Sequence, residues 1–147
     1  MRILQFAFDG DAKNPYLPHN YDANTVVYTG THDNDTTCGW WESLEQSEKD
    51  RVHTYLGVGS ENSEELCWYL IRLAFSSVAR YCVIPMQDAL ALDSTHRMNQ
   101  PGVGVGSWEW RYRWDQVEAW HSERLFDLTC LYGRDYESQH PDEADAS

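Results

Sequence analysis

Three short apolar runs are the feature that most constrains the fold of this chain. They cover residues 2–8 (R-I-L-Q-F-A-F), 24–29 (N-T-V-V-Y-T) and 79–85 (A-R-Y-C-V-I-P), and polar loops or turn residues bound them. Runs of this length and character are typical of buried strands. Helical stretches follow the second and the third run, and an alternation of strand and helix is the pattern of parallel βαβ units. The sequence therefore predicts an α/β fold with a parallel sheet.

The helical stretches have recognisable starts and ends. Residues 38–56 predict a polar helix that is interrupted near residues 43–47. Asn62 precedes Glu65 by three residues, which is the spacing of a capping box, and it opens a well-defined amphipathic helix. A last amphipathic helix is predicted from about residue 115 to residue 132.

Three strands do not complete a parallel sheet, which needs neighbouring strands and helices on both faces. The first predicted strand also begins at residue 2, although a domain rarely opens on its most buried element. We therefore expect the chain to be part of a larger domain, with Met1 as an internal methionine. Residues 1–134 are the expected structured segment, and residues 135–147 are acidic, small and polar, so we expect them to be disordered.

A cluster of polar side chains directly follows the second predicted strand. Residues 29–36 read T-G-T-H-D-N-D-T and bring together His32, Asp33, Asn34 and Asp35. An α/β enzyme displays its catalytic groups at the carboxyl ends of its strands, which is where this segment lies. Burying so many hydrogen-bonding groups costs free energy unless they find partners, so the segment is the candidate site. Asp35 precedes the next helix, and we expect a structural role for it at that helix N-terminus.

The composition narrows the classes of ligand. A formal net charge of −13 argues against binding to nucleic acid or to an anionic membrane, because Lys and Arg supply most of that attraction. The chain has seven Trp, nine Tyr and four Phe. Aromatic planes flanked by carboxylates and amides suit a neutral ligand rich in hydroxyl groups, such as a sugar. The alternative is that these aromatic side chains simply form the core.

The four cysteines are widely spaced and include no C-x-x-C motif. Cys67 and Cys130 fall in apolar helical patterns and Cys82 in a strand-like run, so we expect buried free thiols. The sequence has no secretory signal pattern and no apolar run of the ~20 residues that a bilayer span requires. The expectation is a cytoplasmic protein that does not bind membranes.

Metal and nucleotide sites are weaker interpretations of the polar segments. A calcium loop that starts at Asp33 requires a glycine and a late glutamate where Cys38 and Leu44 stand. A transition-metal site needs more ligands than one histidine and one or two carboxylates. The G-V-G-V-G of residues 102–106 lacks the spacing of a nucleotide fingerprint, and no helix opens on its third glycine. We therefore expect neither a metal nor another cofactor.

Two further segments carry candidate groups. The loop of residues 14–21 is stiffened by two prolines, and its His19 and Asn20 either form a solvated loop tip or face a cleft. Residues 108–114 alternate aromatic and charged side chains, which fits an extended lip or packing between elements. Asp88 stands at the carboxyl end of the third predicted strand.

Several motifs spread over nearly the whole chain resemble one known family. They are L-Q-F-A-F-D-G-D (4–11), N-P-Y-L-P-H-N-Y (14–21), V-Y-T-G-T-H-D-N-D-T (27–36), V-I-P-M-Q-D (83–88), R-M-N-Q-P-G (97–102), W-E-W-R (108–111) and L-Y-G-R (131–134). Together they resemble the C-terminal part of the 4-α-glucanotransferases, also called amylomaltases or disproportionating enzymes, of the α-amylase superfamily. The resemblance implies a TIM (β/α)8 barrel, of which the predicted strands are the sixth, seventh and eighth.

The resemblance also implies a reaction, the retaining transfer of α-1,4-glucan segments. Such enzymes pass a glycosyl group through a covalent glycosyl-enzyme intermediate to the 4-hydroxyl of an acceptor, so α-1,4-glucans and malto-oligosaccharides are the implied partners. Retention requires a carboxylate nucleophile and a carboxylic acid/base. In the family both lie on earlier strands, and neither is in this sequence. The missing N-terminal barrel strands are therefore needed, and the chain alone is expected to be inactive.

By the same resemblance, Asp33 is the third carboxylate of the family and stabilises the oxocarbenium-like transition state. The implied substrate-binding residues are His32, Asn99, His19 and Asn20. Another class of function is left open by the residues themselves. In that alternative the chain is a non-catalytic fragment, or a glucan-binding or partner-binding module that completes a barrel supplied by another chain.

Overall fold

The structure, a computed structural model, describes residues 1–59 and 62–135. Its strands are β1 (Arg2–Ile3), β2 (Val26–Tyr28) and β3 (Tyr81–Val83). Its α-helices are α1 (Thr37–Ser43), α2 (Gln46–Leu56), α3 (Ser63–Ser76), α4 (Met86–Ala89) and α5 (Ala119–Leu131). Short 3-10 helices span Leu4–Phe6, Pro18–Asn20, Ser94–His96 and Trp114–Gln116. None of the helices formed by these residues is long and apolar enough to cross a membrane.

The three strands form one parallel sheet in the order β1, β2, β3, which confirms the predicted α/β class. Val27 at the centre of β2 pairs in register with Arg2 on one side and with Cys82 on the other. Because the strands are parallel, their carboxyl ends meet at the same edge of the sheet. The segments that follow β2 and β3 therefore start side by side.

The first strand is shorter than the sequence predicts. A strand is predicted over residues 2–8, whereas the structure has a strand at Arg2–Ile3 and then a 3-10 helix at Leu4–Phe6. The turn is closed by a 2.9 Å bond from Ala7 N to Leu4 O, and within it the Gln5 side-chain Nε2 donates to the backbone oxygen of Asp35 at 2.9 Å. The tight turn thus places a buried amide against the polar segment after β2.

The hydrophobic core lies on one face of the sheet, beneath three helices. Val27 is fully buried there in one cluster with Trp41 of α1, Val52 of α2, and Leu66 and Leu70 of α3. The two leucines are four residues apart and so lie on the same face of α3. Burying side chains of this size contributes about 1.5–3 kcal/mol each. This core fixes β2, and with it the start of the polar segment.

The opposite face of the sheet is open in the described part of the chain. Tyr81 and Val83 of β3 alternate with Cys82, which packs against the core, and they are 58% and 43% exposed. Tyr28 of β2 pairs with Val83 and is half-buried. An exposed apolar surface of this kind marks a place where protein segments or ligands dock.

The helix boundaries follow local capping signals. The interruption predicted within residues 38–56 is present between α1 and α2. Helix α2 begins with a capping box at Glu45 and ends at Gly57, whose φ of 69° is left-handed and suits glycine. Helix α3 begins as predicted, because the Asn62 side-chain oxygen accepts a 2.8 Å hydrogen bond from the backbone nitrogen of Glu65.

The described residues divide into two compact units, one up to residue 112 and the other from residue 113 onward. In the described part of the second unit, α5 confirms the helix predicted over about residues 115–132. From residue 136 onward, the tail predicted over residues 135–147 lies outside the described residues.

The thiols are free, and one of them departs from the prediction. Cys38 and Cys67 are buried and Cys82 is partly buried, whereas Cys130 is exposed. The expectation of a buried Cys130 is therefore wrong. Phe126, one turn earlier on the same side of α5, is exposed as well, so this side of the helix faces solvent within its unit.

Candidate functional site

The loop between β2 and α1 holds its shape through its own asparagine. Asn34 Oδ1 accepts hydrogen bonds from Thr31 N at 3.0 Å and from Thr31 Oγ1 at 2.7 Å. The backbone closes the same turn with a 3.1 Å bond from Asn34 N to Thr31 O. Such side-chain bonds to nearby backbone groups stabilise tight turns. The turn leaves the intervening side chains of His32 and Asp33 about half exposed.

Asp33 is surrounded by polar groups from two segments of the chain. Asn99 Nδ2 donates to Asp33 Oδ1 at 2.6 Å, and His32 Nε2 lies 3.4 Å from the same oxygen. Arg97 Nη2 donates to the backbone oxygen of Asp33 at 3.1 Å. The structure thus brings together three of the five site residues that the sequence predicts, namely His32, Asp33 and Asn99.

The segment after β3 is tied to the loop by its backbone. Asn99 N donates to His32 O at 3.1 Å, and Trp108 N donates to Met98 O at 2.6 Å. The ring of Trp108 lies 4.9 Å from the His32 ring, centroid to centroid, at 42° between the planes. Trp108 has a left-handed backbone with φ of 68°, which costs roughly 1–2 kcal/mol for a residue with a side chain. The surrounding bonds maintain this conformation.

Asp35 links the loop to the start of α1. Its carboxylate accepts hydrogen bonds from Ser94 Oγ at 2.8 Å and from Thr36 N at 2.8 Å, and it lies 3.7 Å from Arg97 Nη1. Gly39 faces this carboxylate so closely that a Cβ there would lie 2.6 Å from Asp35 Oδ1. These contacts agree with the structural role expected of Asp35.

A buried carboxylate, Asp88, joins the two ends of the loop. Thr37 N and Thr37 Oγ1 donate to it at 2.7 Å and 2.8 Å, and Thr29 Oγ1 donates at 2.5 Å. Burial raises the pKa of the Asp88 carboxyl, and the bonds from Thr29 and Thr37 lower it without overcoming that effect. The sequence analysis placed Asp88 at the end of β3 but missed this role. The signal was its position next to the candidate loop at a shared sheet edge.

A cavity of about 570 Å³ lies beside the loop, on the open face of the sheet. Ile3, Tyr28 and Val83 line it from the three strands, and His32 and Asp33 line it from the loop. Apolar walls with a few convergent polar groups are typical of a small-molecule site. The arrangement suits a ligand with both apolar faces and hydroxyl groups.

His19 and Asn20 are not part of this group. The ring nitrogens of His19 lie 3.0 Å from Tyr55 Oη and 3.0 Å from Ala12 O. Asn20 Nδ2 donates to Ala12 O and Asn14 O, at 2.9 Å each. His19 lines a separate cavity of about 380 Å³ beside α2. Both side chains therefore order their own loop, and the structure does not bring them to Asp33.

Among residues 1–59 and 62–135, no group of three or more His, Cys, Asp or Glu side chains is arranged to hold a metal ion.

Sequence comparison identifies a matching family and several relatives. The family model described as 4-alpha-glucanotransferase matches residues 1–118. The chloroplastic/amyloplastic 4-alpha-glucanotransferase of Arabidopsis thaliana is 51% identical over 138 residues, which cover 91% of this chain and 23% of that protein. The 4-alpha-glucanotransferase of Thermus thermophilus is 48% identical over 130 residues, which cover 85% of this chain and 26% of that protein. The chain thus spans about a quarter of the length of these relatives.

Comparison with solved structures gives a match that agrees with the sequence comparison. The amylomaltase from Streptococcus agalactiae in complex with acarbose superposes with a TM-score of 0.84 at 31% sequence identity. The match covers 90% of this chain and 26% of that one. The sequence match, the parallel sheet and the polar loop at its carboxyl edge lead to the same conclusion. The chain belongs to the 4-alpha-glucanotransferase family.

Proposed function

We propose that this chain forms part of the active site of a retaining 4-α-glucanotransferase, which transfers an α-1,4-glucan segment to the 4-hydroxyl of an acceptor glucose or glucan. The observation that carries the proposal is the Asp33 carboxylate, held at 2.6 Å by Asn99 and flanked by His32. This group lies at the carboxyl edge of a parallel sheet, where enzymes of this architecture carry out their chemistry.

In the proposed architecture, β1, β2 and β3 are the sixth, seventh and eighth strands of a TIM barrel, and residues 1–134 are its C-terminal segment. The parallel order of the strands supports this arrangement, and so do the helices of the described residues, which pack on one face of the sheet. The open face, with Tyr81 and Val83 exposed, then points into the barrel interior. The cytoplasmic location expected from the sequence stays a prediction.

Asp33 acts in this proposal on the sugar at the reacting carbon. As the glycosidic bond breaks, positive charge develops on the sugar ring, and a nearby carboxylate stabilises it. Asp33 also accepts hydrogen bonds from sugar hydroxyls, and these bonds strengthen in the transition state. Asn99 directs one oxygen of the carboxylate, because its amide donates to Oδ1.

His32 supplies a second polar contact to the same sugar. The His32 Nε2 atom is 3.4 Å from Asp33 Oδ1, so a hydroxyl group bound by the carboxylate is also within reach of the imidazole. Trp108 packs at 4.9 Å from the imidazole ring and limits its rotation. An imidazole with a fixed orientation offers a donor or an acceptor at a defined place.

A double displacement also needs a nucleophile and an acid/base, about 5–5.5 Å apart. We propose that segments outside this chain supply both, since the relatives are about four times as long. The proposed substrates are α-1,4-glucans and malto-oligosaccharides, and the complex of the Streptococcus agalactiae relative with acarbose supports a ligand of the saccharide class. In this scheme the chain alone does not catalyse transfer.

The proposal can be tested in a chimera in which the full chain replaces the matching quarter of the Thermus thermophilus enzyme. Disproportionation of maltotriose by the chimera is the expected result. Asp33→Asn is expected to lower the turnover number by at least about a hundredfold, because it removes the charge that stabilises the transition state. Asp22→Asn, at an exposed carboxylate in the turn before β2, is the matched control and leaves turnover unchanged.

Two results contradict the proposal. The first is near-normal turnover by Asp33→Asn, which would reduce Asp33 to a structural residue. The second is turnover of maltotriose by the isolated 147-residue chain, because one carboxylate of three cannot carry out a double displacement. A folded chimera that binds glucans without turnover would instead favour a binding module.

A further inference from the structure

Trp108 combines exposure with a constrained position beside the candidate site. Its side chain is 55% exposed, although an indole is among the most apolar groups of a protein. By contrast, Trp41 and Trp68 are buried. Packing in the core of its unit therefore does not explain the position of the Trp108 side chain.

The backbone of Trp108 is held in an unfavourable conformation. Its φ of 68° is left-handed, and among the described residues other than glycine only Ala91 shares a positive φ. Two bonds keep it there: Trp108 N donates to Met98 O at 2.6 Å, and Arg111 Nη1 donates to Trp108 O at 3.1 Å. Strain of this kind in a bulky residue persists where the surrounding structure requires it, and such residues cluster at ligand sites.

The strained backbone brings the indole to the residues that bind the reacting sugar. Its ring centroid lies 4.9 Å from that of His32, and the planes are tilted by 42° rather than stacked. The same segment carries Asn99, whose amide contacts Asp33. The indole thus forms an apolar wall next to a group of polar side chains.

We propose that Trp108 is the stacking platform for a glucose unit that neighbours the unit bound by His32, Asp33 and Asn99. A glucose ring presents C–H groups on its faces and hydroxyl groups around its edge. An indole face contacts the C–H groups, while the polar residues nearby bind hydroxyls. The ligand class is an α-1,4-linked oligosaccharide of at least two units. This inference rests on the function proposed above and assigns a further binding residue to that site.

Kinetics of the chimera test the inference. For Trp108→Ala, the KM for maltoheptaose is expected to rise about tenfold, which corresponds to about 1.4 kcal/mol, with kcat within about threefold. Trp108→Phe keeps an aromatic face and is expected to restore most of the loss. Val78→Ala is the control, since Val78 is 61% exposed and lies between α3 and β3, at the opposite end of β3 from the site loop. It leaves KM unchanged.

The kinetic outcomes distinguish a Trp108 that stacks on the sugar from one that only orients His32. An unchanged KM for Trp108→Ala overturns the inference. A loss of kcat alone also overturns it, because Trp108 would then act only by orienting His32. Failure of the proposed function itself would be visible separately, as an inactive wild-type chimera or an active Asp33→Asn variant.

A binding measurement gives an independent readout. The chimera is labelled with 5-fluorotryptophan for fluorine NMR. The signal that is present in the wild-type spectrum and absent from that of Trp108→Phe is assigned to Trp108. Acarbose, at concentrations that inhibit the same sample, is expected to shift this signal and to leave in place the signal of Trp68, which is buried in α3. An unshifted Trp108 signal under inhibition contradicts direct contact with the saccharide.

Discussion

Asn99 donates a 2.6 Å hydrogen bond to Asp33 across 66 residues of sequence. The bond joins the segment after β3 to the loop after β2, and the backbone bond from Asn99 N to His32 O reinforces it. The position of the carboxylate is therefore set by two neighbouring strand-to-helix connections at once. A change in either connection is therefore expected to move the Asp33 carboxylate.

Asn99→Ala removes the donor while leaving Asp33 charged. A hydrogen bond to a charged group contributes about 1.5–3 kcal/mol, so kcat/KM for maltotriose is expected to fall roughly tenfold to a hundredfold. The chimera is the protein to measure. Asn24→Ala, at an exposed asparagine next to β2, is the matched control. Equal rates for Asn99→Ala and the control would show that the carboxylate needs no such support.

Asp88→Ala is expected to destabilise the chimera. It leaves the buried backbone N–H of Thr37 without its acceptor, and an unsatisfied buried donor costs about 1–3 kcal/mol. The thermal unfolding midpoint is the measurement. A midpoint equal to that of the wild type would mean that another group takes over the role of the carboxylate.

The pH dependence of Asp88 follows from the direction of its pKa shift. Burial raises the pKa of this carboxyl above its ordinary value of 3.8, so the folded state favours the protonated form. The stabilisation that Asp88 contributes is therefore fully present below about pH 3.8. It is lost as the pH rises through the pKa of this carboxyl in the folded state. Relative to Asp88→Asn, which stays neutral, the wild type is expected to lose stability over that range.

Unfolding of both proteins between pH 3 and pH 8 checks this prediction. Asp22→Asn, at an exposed carboxylate, is the control for acid effects on the rest of the protein. A wild type that gains stability relative to Asp88→Asn as pH rises would mean that the bonds from Thr29 and Thr37 outweigh burial.

Gly39→Ala is expected to disturb the site through Asp35. The new Cβ would lie 2.6 Å from Asp35 Oδ1 and closer still to Ser94 Oγ, so the carboxylate must move away from its partners. Overpacking of this kind costs about 1–3 kcal/mol, and a loss of turnover is expected with it. Gly59→Ala is the control, because its Cβ has open space around it and its φ is not left-handed. Turnover of Gly39→Ala at the wild-type level would show that the loop tolerates the shift.

Local signals in the sequence predicted much of the fold. The β-branched run around Val27 predicted a buried strand, and the asparagine cap at Asn62 predicted the start of α3. The 3-10 turn at Leu4–Phe6 was not predicted, and it carries Gln5, whose side chain bonds to Asp35 O, 30 residues away. Contacts between distant segments leave no mark in the sequence around either partner.

In the candidate site, too, local signals were visible in the sequence and contacts between distant segments were not. His32 and Asp33 were found because they cluster within one short segment after a strand. The proximity of Asn99 to Asp33 depends on the pairing of β2 with β3, and only the resemblance singled out Asn99 in the sequence. The bonds of Asp88 to Thr29 and Thr37 span 59 and 51 residues, so its role as a link between the loop ends emerged from the structure alone.

The buried carboxylate of Asp88 also limits how such a protein can be recombined. A crossover between residues 37 and 88 would combine an Asp88 from one parent with the Thr29 and Thr37 of another. If the other parent lacked those hydroxyls, the hybrid would bury a carboxylate without its hydrogen-bond donors. The stretch from β2 to α4 is therefore expected to be exchanged as one block, and productive breakpoints are expected to fall on either side of it.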